Sequence, residues 1–219
     1  MKLFIDSANM DEIKEAASLG AVTGVTTNPS LAAKENIGDM DKYREVICEI
    51  AEIIDGPISV EVTAPDFGGM ITQAKLIAPW HRNVVVKLPS TLDGFKAMAV
   101  VVNEGIPVNQ TLCFSLNQAL IGAQIGATYV SPFVGRLDDE GHYGMGVVEE
   151  IVDAFNIHGI STQVLAASIR GPLHCVEAAK AGAHIATIPF KVLMQMTHHP
   201  LTDVGAVKFL EDWGKAARA

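Results

Sequence analysis

Lys87 interrupts the apolar run Val84-Val85-Val86, which continues through Leu88 and stops at Pro89. Lysine is among the residues least often buried, because withdrawing its charge from water is costly unless the group is paired or deprotonated. A lysine inside a β-branched run therefore calls for an explanation. One is an edge-strand gatekeeper, or a stem that snorkels out of a buried strand. The other is an amine held in a dry pocket, nucleophilic enough to form a Schiff base with a carbonyl. Other polar residues decide between them. Asp6 ends the run that begins at Leu3, Glu61 follows Ile58-Ser59-Val60, and the pairs Thr26/Asn28, Asn109/Thr111 and Ser131/Phe133 are each two residues apart. Residues two apart on a strand share a face. Taken singly, Asp6 also fits a helix cap, Thr26 and Ser168 fit turns, and Asn28 before Pro29 fits a loop start. Together they would gather Asp, Glu and Lys at one place, which is tolerated when the charges pair or do chemistry.

Two of the five arginines, Arg136 and Arg170, fall just past candidate strands. With Ser168 and the backbone N–H groups around Gly171 they suit a phosphate. The adjacent His198 and His199 point apart and have no third ligand near in sequence. Neither they nor the other histidines have ligand spacing, so no metal is expected.

The elements that must position these residues alternate. Strand-like runs at 3–6, 24–28, 58–62, 83–88, 107–112, 128–133, 163–168 and 185–189 are separated by helical stretches at 11–19, 40–54, 67–77, 94–103, 116–125, 147–155, 172–181 and 191–197. Asp11, Asp39, Asp66, Asp93 and Ser115 stand near helix starts, and Gly20, Gly105, Gly126, Gly159 and Gly182 near helix exits. Such βα units with near-continuous apolar strands imply an α/β fold with a parallel sheet covered by helices. Eight of them favour a single (β/α)8 TIM barrel over 1–219, with its site at the C-terminal mouth of the strands. An open doubly wound sheet is the alternative, but no glycine-rich phosphate fingerprint follows the first strand.

The 219 residues suit one domain, 49% of them apolar and 19% charged. A formal charge of −9 argues against general nucleic-acid affinity. No apolar stretch reaches a membrane span, and Met1-Lys2-Leu3-Phe4-Ile5-Asp6 lacks the long apolar segment of a signal peptide. Cys48, Cys113 and Cys175 are far apart and odd in number, which suits reduced thiols in a cytoplasmic protein.

Several segments carry a resemblance. Asp6-Ser7-Ala8, Gly24-Val25-Thr26-Thr27-Asn28-Pro29-Ser30, Val84 to Pro89, Asn109-Gln110-Thr111-Leu112, Ser131-Pro132-Phe133-Val134-Gly135-Arg136 and Ala166-Ala167-Ser168 with Arg170 resemble the transaldolase family, in order along essentially the whole chain. The length is similar to the compact branch that also holds fructose-6-phosphate aldolase. The resemblance implies a (β/α)8 barrel with Lys87 as Schiff-base lysine. It also implies transfer of a dihydroxyacetone unit between sugar phosphates, as in the pentose phosphate pathway, without a cofactor. By the same resemblance Asp6 is the acid–base group, and Glu61 with Thr111 handles the water. Asn28 and Asn109 bind sugar hydroxyls, Thr26, Ser131 and Phe133 line the site, and Arg136, Ser168 and Arg170 take the phosphate. The aldolase branch has Gln where Glu61 stands and Tyr where Phe133 stands, so both positions side with transaldolase. A non-catalytic sugar-phosphate-binding barrel fits poorly with Asp6, Glu61 and Lys87 all present.

Beyond the eighth unit, the sequence after Pro200 predicts one more helix at about 203–217. Val204, Val207 and Leu210 form a stripe, with Ala206, Phe209 and Trp213 beside it. A stripe so apolar needs a partner surface. It can fold back on its own barrel, but the resemblance implies a homo-oligomer, a pentamer or decamer, with this helix on a neighbouring subunit.

Overall fold

The structure is a computed structural model that describes residues 1–216. Its strands are β1 Lys2–Asp6, β2 Val22–Thr26, β3 Ile58–Glu61, β4 Val84–Pro89, β5 Val108–Cys113, β6 Tyr129–Pro132, β7 Gln163–Ala166 and β8 Ile185–Ile188. The helices are α1 Met10–Ser18, α2 Pro29–Lys34, α3 Met40–Ile53, α4 Phe67–Ile77, α5 Leu92–Asn103, α6 Leu116–Ile125, α7 Val134–Asp139, α8 Gly144–His158, α9 Pro172–Lys180, α10 Phe190–Met196 and α11 Pro200–Ala216. All neighbouring strands pair in parallel, and β8 closes on β1 with Lys2 opposite Ile185, giving the expected (β/α)8 barrel.

Alternation along the strands separates two cores. Residues such as Ile5, Val25, Val60, Val86, Val108, Val130, Val164 and Ala186 point outward and pack with the helices. The intervening residues Phe4, Val85, Tyr129, Leu165 and Ile185 fill the barrel axis, with Phe133 against them. Two residues further along, the same inward faces carry Asp6, Lys87, Ser131, Ala167 and Thr187. An apolar plug therefore floors a polar mouth. Gly24 serves the plug, because a Cβ there would lie 2.6 Å from the Phe4 ring.

Local chemistry sets the helix starts. Asp39, Asp66 and Ser115 accept from backbone N–H groups as caps. Asp11 and Asp93 sit instead in first turns, behind the caps Asn9 and Thr91. All five expected exit glycines have positive φ.

Three expectations are corrected. The strand expected at 24–28 ends at Thr26, because Asn28 caps α2 through a 3.0 Å bond from the Leu31 N–H and Pro29 occupies the first helical turn. The strand expected at 163–168 ends at Ala166, because Ser168 turns to a φ of 59°. Asp6 is not a helix cap, since Asn9 accepts from Glu12 at the start of α1. Helix α11 lies with Val204, Val207, Phe209, Leu210 and Trp213 exposed and none of its described residues buried. It does not fold back on its barrel. The last residue of the expected 203–217 helix lies outside the described residues.

Candidate active site

Strand register places the central residues. In neighbouring strands, Glu61 on β3 is opposite Lys87 on β4, which is opposite Asn109 on β5. Lys87 is only 4% exposed, so it is neither a gatekeeper nor a snorkelling stem. Its Nζ lies 3.0 Å from Glu61 Oε2 and donates to the Thr27 carbonyl at 3.2 Å. Pairing of this kind offsets the desolvation of both charges.

Asp6 ends β1 across the mouth. Its Oδ1 accepts from Thr26 Oγ1 at 2.7 Å, and Thr26 Oγ1 is in turn 2.6 Å from Thr187 Oγ1 on β8. Withdrawal from water pushes the Asp6 carboxyl above its ordinary range, opposed chiefly by the positive charge of Lys87.

A cavity of about 250 Å³ opens over these groups. Of the residues expected from sequence, Asp6, Thr26, Asn28, Lys87, Ser131, Phe133, Arg136, Ser168 and Arg170 line it. Glu61, Asn109 and Thr111 stand behind that lining. Glu61 acts on the cavity through Lys87. Asn109 is fully buried, with Oδ1 accepting from Ser131 Oγ at 2.6 Å and Nδ2 donating to Ser59 Oγ at 3.0 Å. Thr111 is buried, and its hydroxyl has no hydrogen-bond partner among the described residues.

The arginines occupy the outer rim. The Arg136 guanidinium stacks 5.1 Å over the Phe133 ring, and Arg170 pairs with Asp139 at 2.6 Å. The Arg170 backbone N–H is donated to His174 Nδ1 at 3.2 Å. Gly135 permits this packing. Its N–H bonds the Ser168 carbonyl at 3.0 Å, and a Cβ would lie 2.2 Å from that oxygen and 2.6 Å from Arg170 Nε.

Sequence reading missed Thr187, Lys34 and Ser30, which also line the cavity, and Ser59, which holds Asn109. Thr187 carried the signal that found the others, a polar residue near a strand's C-terminal end. Lys34 sits on α2, a helix of six residues that is too short to show a periodic pattern in the sequence. His198 pairs loosely with Asp203, and His199 Nδ1 accepts from the Leu201 N–H.

The profile of the family described as Transaldolase/Fructose-6-phosphate aldolase matches residues 3–218. The chain belongs to that family. A probable transaldolase of Heliobacterium modesticaldum is 58% identical over 97% of each chain. One from Caldicellulosiruptor saccharolyticus is 57% identical over 100% of this chain and 99% of its own. A thiamine phosphate pyrophosphorylase from Pyrococcus furiosus superposes with a TM-score of 0.59 at 16% identity, covering 86% of this chain and 85% of its own. It shares the fold alone. Membership in the transaldolase/fructose-6-phosphate aldolase family makes the chain an enzyme of the aldolase and transaldolase type.

Proposed function

We propose that the protein is a transaldolase that moves a dihydroxyacetone unit from sedoheptulose 7-phosphate to glyceraldehyde 3-phosphate, giving erythrose 4-phosphate and fructose 6-phosphate. The observation that carries this reading is a buried Lys87 amine, 3.0 Å from Glu61, beneath a cavity lined by Asp6, Arg136 and Arg170.

The geometry supports the following chemistry. Attack needs the neutral amine, and Glu61 stands where it can take the ammonium proton. Lys87 Nζ bonds to C2 of the ketose, and loss of the carbonyl oxygen as water leaves a protonated imine. Asp6 removes the proton of the C4 hydroxyl. The C3–C4 bond breaks, its electron pair passes into the imine to give an enamine, and the aldose phosphate departs. The enamine then attacks a second aldehyde, and Asp6 returns the proton to the new oxygen. Water directed by Glu61 and the unpartnered Thr111 hydroxyl hydrolyses the imine. Asn28 caps α2 with its amide oxygen, and its amide nitrogen, with no hydrogen bond among the described residues, is open to sugar hydroxyls. Asn109 takes the Ser131 proton on its Oδ1, which leaves the Ser131 oxygen to accept from a hydroxyl of the same three-carbon unit. Arg136, Ser168 and Arg170 bind the phosphate, Arg170 exchanging Asp139 for it.

Phe133 and Glu61 favour transfer over release. A phenyl ring offers the enamine no proton, so the three-carbon unit waits for an acceptor. We also infer one cytoplasmic domain that works as a homo-oligomer through α11. Exposed apolar residues along α11 and the free thiols support this. Among the described residues no helix is long and apolar enough to cross a membrane.

The test is incubation with fructose 6-phosphate, with and without erythrose 4-phosphate. Product formed only with the acceptor supports transferase. Free dihydroxyacetone formed without it moves the assignment to fructose-6-phosphate aldolase.

A further inference from the structure

The hydroxyls beside Asp6 have a forced direction. An ionised carboxylate only accepts, and each threonine hydroxyl has a single proton to give. Thr26 Oγ1 lies 2.7 Å from Asp6 Oδ1 and 2.6 Å from Thr187 Oγ1. With Asp6 ionised, the Thr26 proton must point at Oδ1. Its oxygen then accepts, so Thr187 is the donor. Thr187 is 3% exposed on β8 and has no other hydrogen-bond partner among the described residues.

We propose that Thr187 is a positioning residue for Asp6: its hydroxyl donates to Thr26 Oγ1 and so strengthens the bond that Thr26 gives to Oδ1, with Oδ2 the atom that takes the substrate proton. This rests on the reading of Asp6 as the base. In that step the O–H bond of the C4 hydroxyl breaks and an Oδ2–H bond forms, while both threonines keep their protons. Aligned hydroxyl dipoles strengthen one another and favour the ionised carboxylate. The other groups acting on Asp6 are charged. Lys87 from β4 and Lys34 from α2 favour ionisation, and Glu61 from β3 opposes it. From the β8 and α10 side, Thr187 and Pro189 line the cavity without charge.

The test compares Thr187→Val, which keeps the shape but removes the hydroxyl, with Thr187→Ser, which restores a donor. Transfer kinetics across pH and borohydride trapping on Lys87 are measured for the parent and both variants. The proposal expects kcat of Thr187→Val to fall about 2- to 13-fold, the range a net hydrogen bond supports, with KM little changed. It expects the acid limb of the pH profile to move upward, Lys87 trapping to persist, and Thr187→Ser to return both kcat and the acid limb toward the parent. A valine variant with the parent's kcat and acid limb overturns the proposal. So do equal losses in both variants, which would mark a packing role. If the parent itself gives no Lys87 adduct, the functional reading fails first and takes this inference with it.

Discussion

Replacing Lys87 by methionine removes the ammonium facing Glu61 while nearly preserving the volume of the stem. Glu61 then keeps its charge in a position where its side chain is only 13% exposed, with its 3.0 Å partner gone. Removing one member of a buried pair costs about 3–5 kcal/mol, because the survivor is left uncompensated. Against a typical total of about 5–15 kcal/mol, the variant should fold but be clearly weakened. The double variant Lys87→Met/Glu61→Gln removes the stranded charge and should recover most of that loss. Urea midpoints of the parent, both single variants and the double variant, at fixed protein concentration and neutral pH, give the coupling directly. A Lys87→Met loss below about 1 kcal/mol at neutral pH, against that expected range, would contradict the paired, buried geometry. So would a loss unchanged by Glu61→Gln. Both proteins lacking Lys87 should be inactive.

Phe133→Tyr should raise release of free dihydroxyacetone relative to transfer, since a phenol at the cavity wall can relay a proton. An unchanged ratio of the two activities removes Phe133 from the reacting centre. Arg136→Ala and Arg170→Ala should each weaken phosphorylated substrates by about 10- to 150-fold, the worth of one charge-assisted contact, with little effect on unphosphorylated fructose. Equal losses on both substrates would indicate that these arginines only hold structure. Sedimentation of the full chain should give five or ten times 23.3 kDa, and a chain ending at Thr202 a smaller assembly. A full-length monomer would refute the role given to α11.

The barrel was legible because its parallel strands are buried on both faces. Runs such as Val84–Leu88 stand out as apolar whatever surrounds them. The site was legible for the complementary reason, since Asp6, Glu61 and Lys87 are polar groups at the ends of such runs. Short elements were not. Helix α2 has six residues, too few for a periodic pattern, and its Asn28-Pro29 start reads equally well as a loop. Helix α7 is of the same length and begins without a side-chain cap. Ser168 lies beyond its strand because of backbone turning, which no residue type there demands. The hydroxyl chain was out of reach for another reason. Thr26 and Thr187 are 161 residues apart, and only closure of β8 on β1 brings them within one bond.

The central claim is that the amine of Lys87 carries the transferred unit as an imine. Incubation with fructose 6-phosphate, reduction with borohydride, proteolysis and mass spectrometry test it most directly. The account predicts a single reduced three-carbon or ketose adduct on the peptide containing Lys87, absent from Lys87→Met. An adduct on a different lysine, or full transfer activity with no trappable adduct, would contradict it.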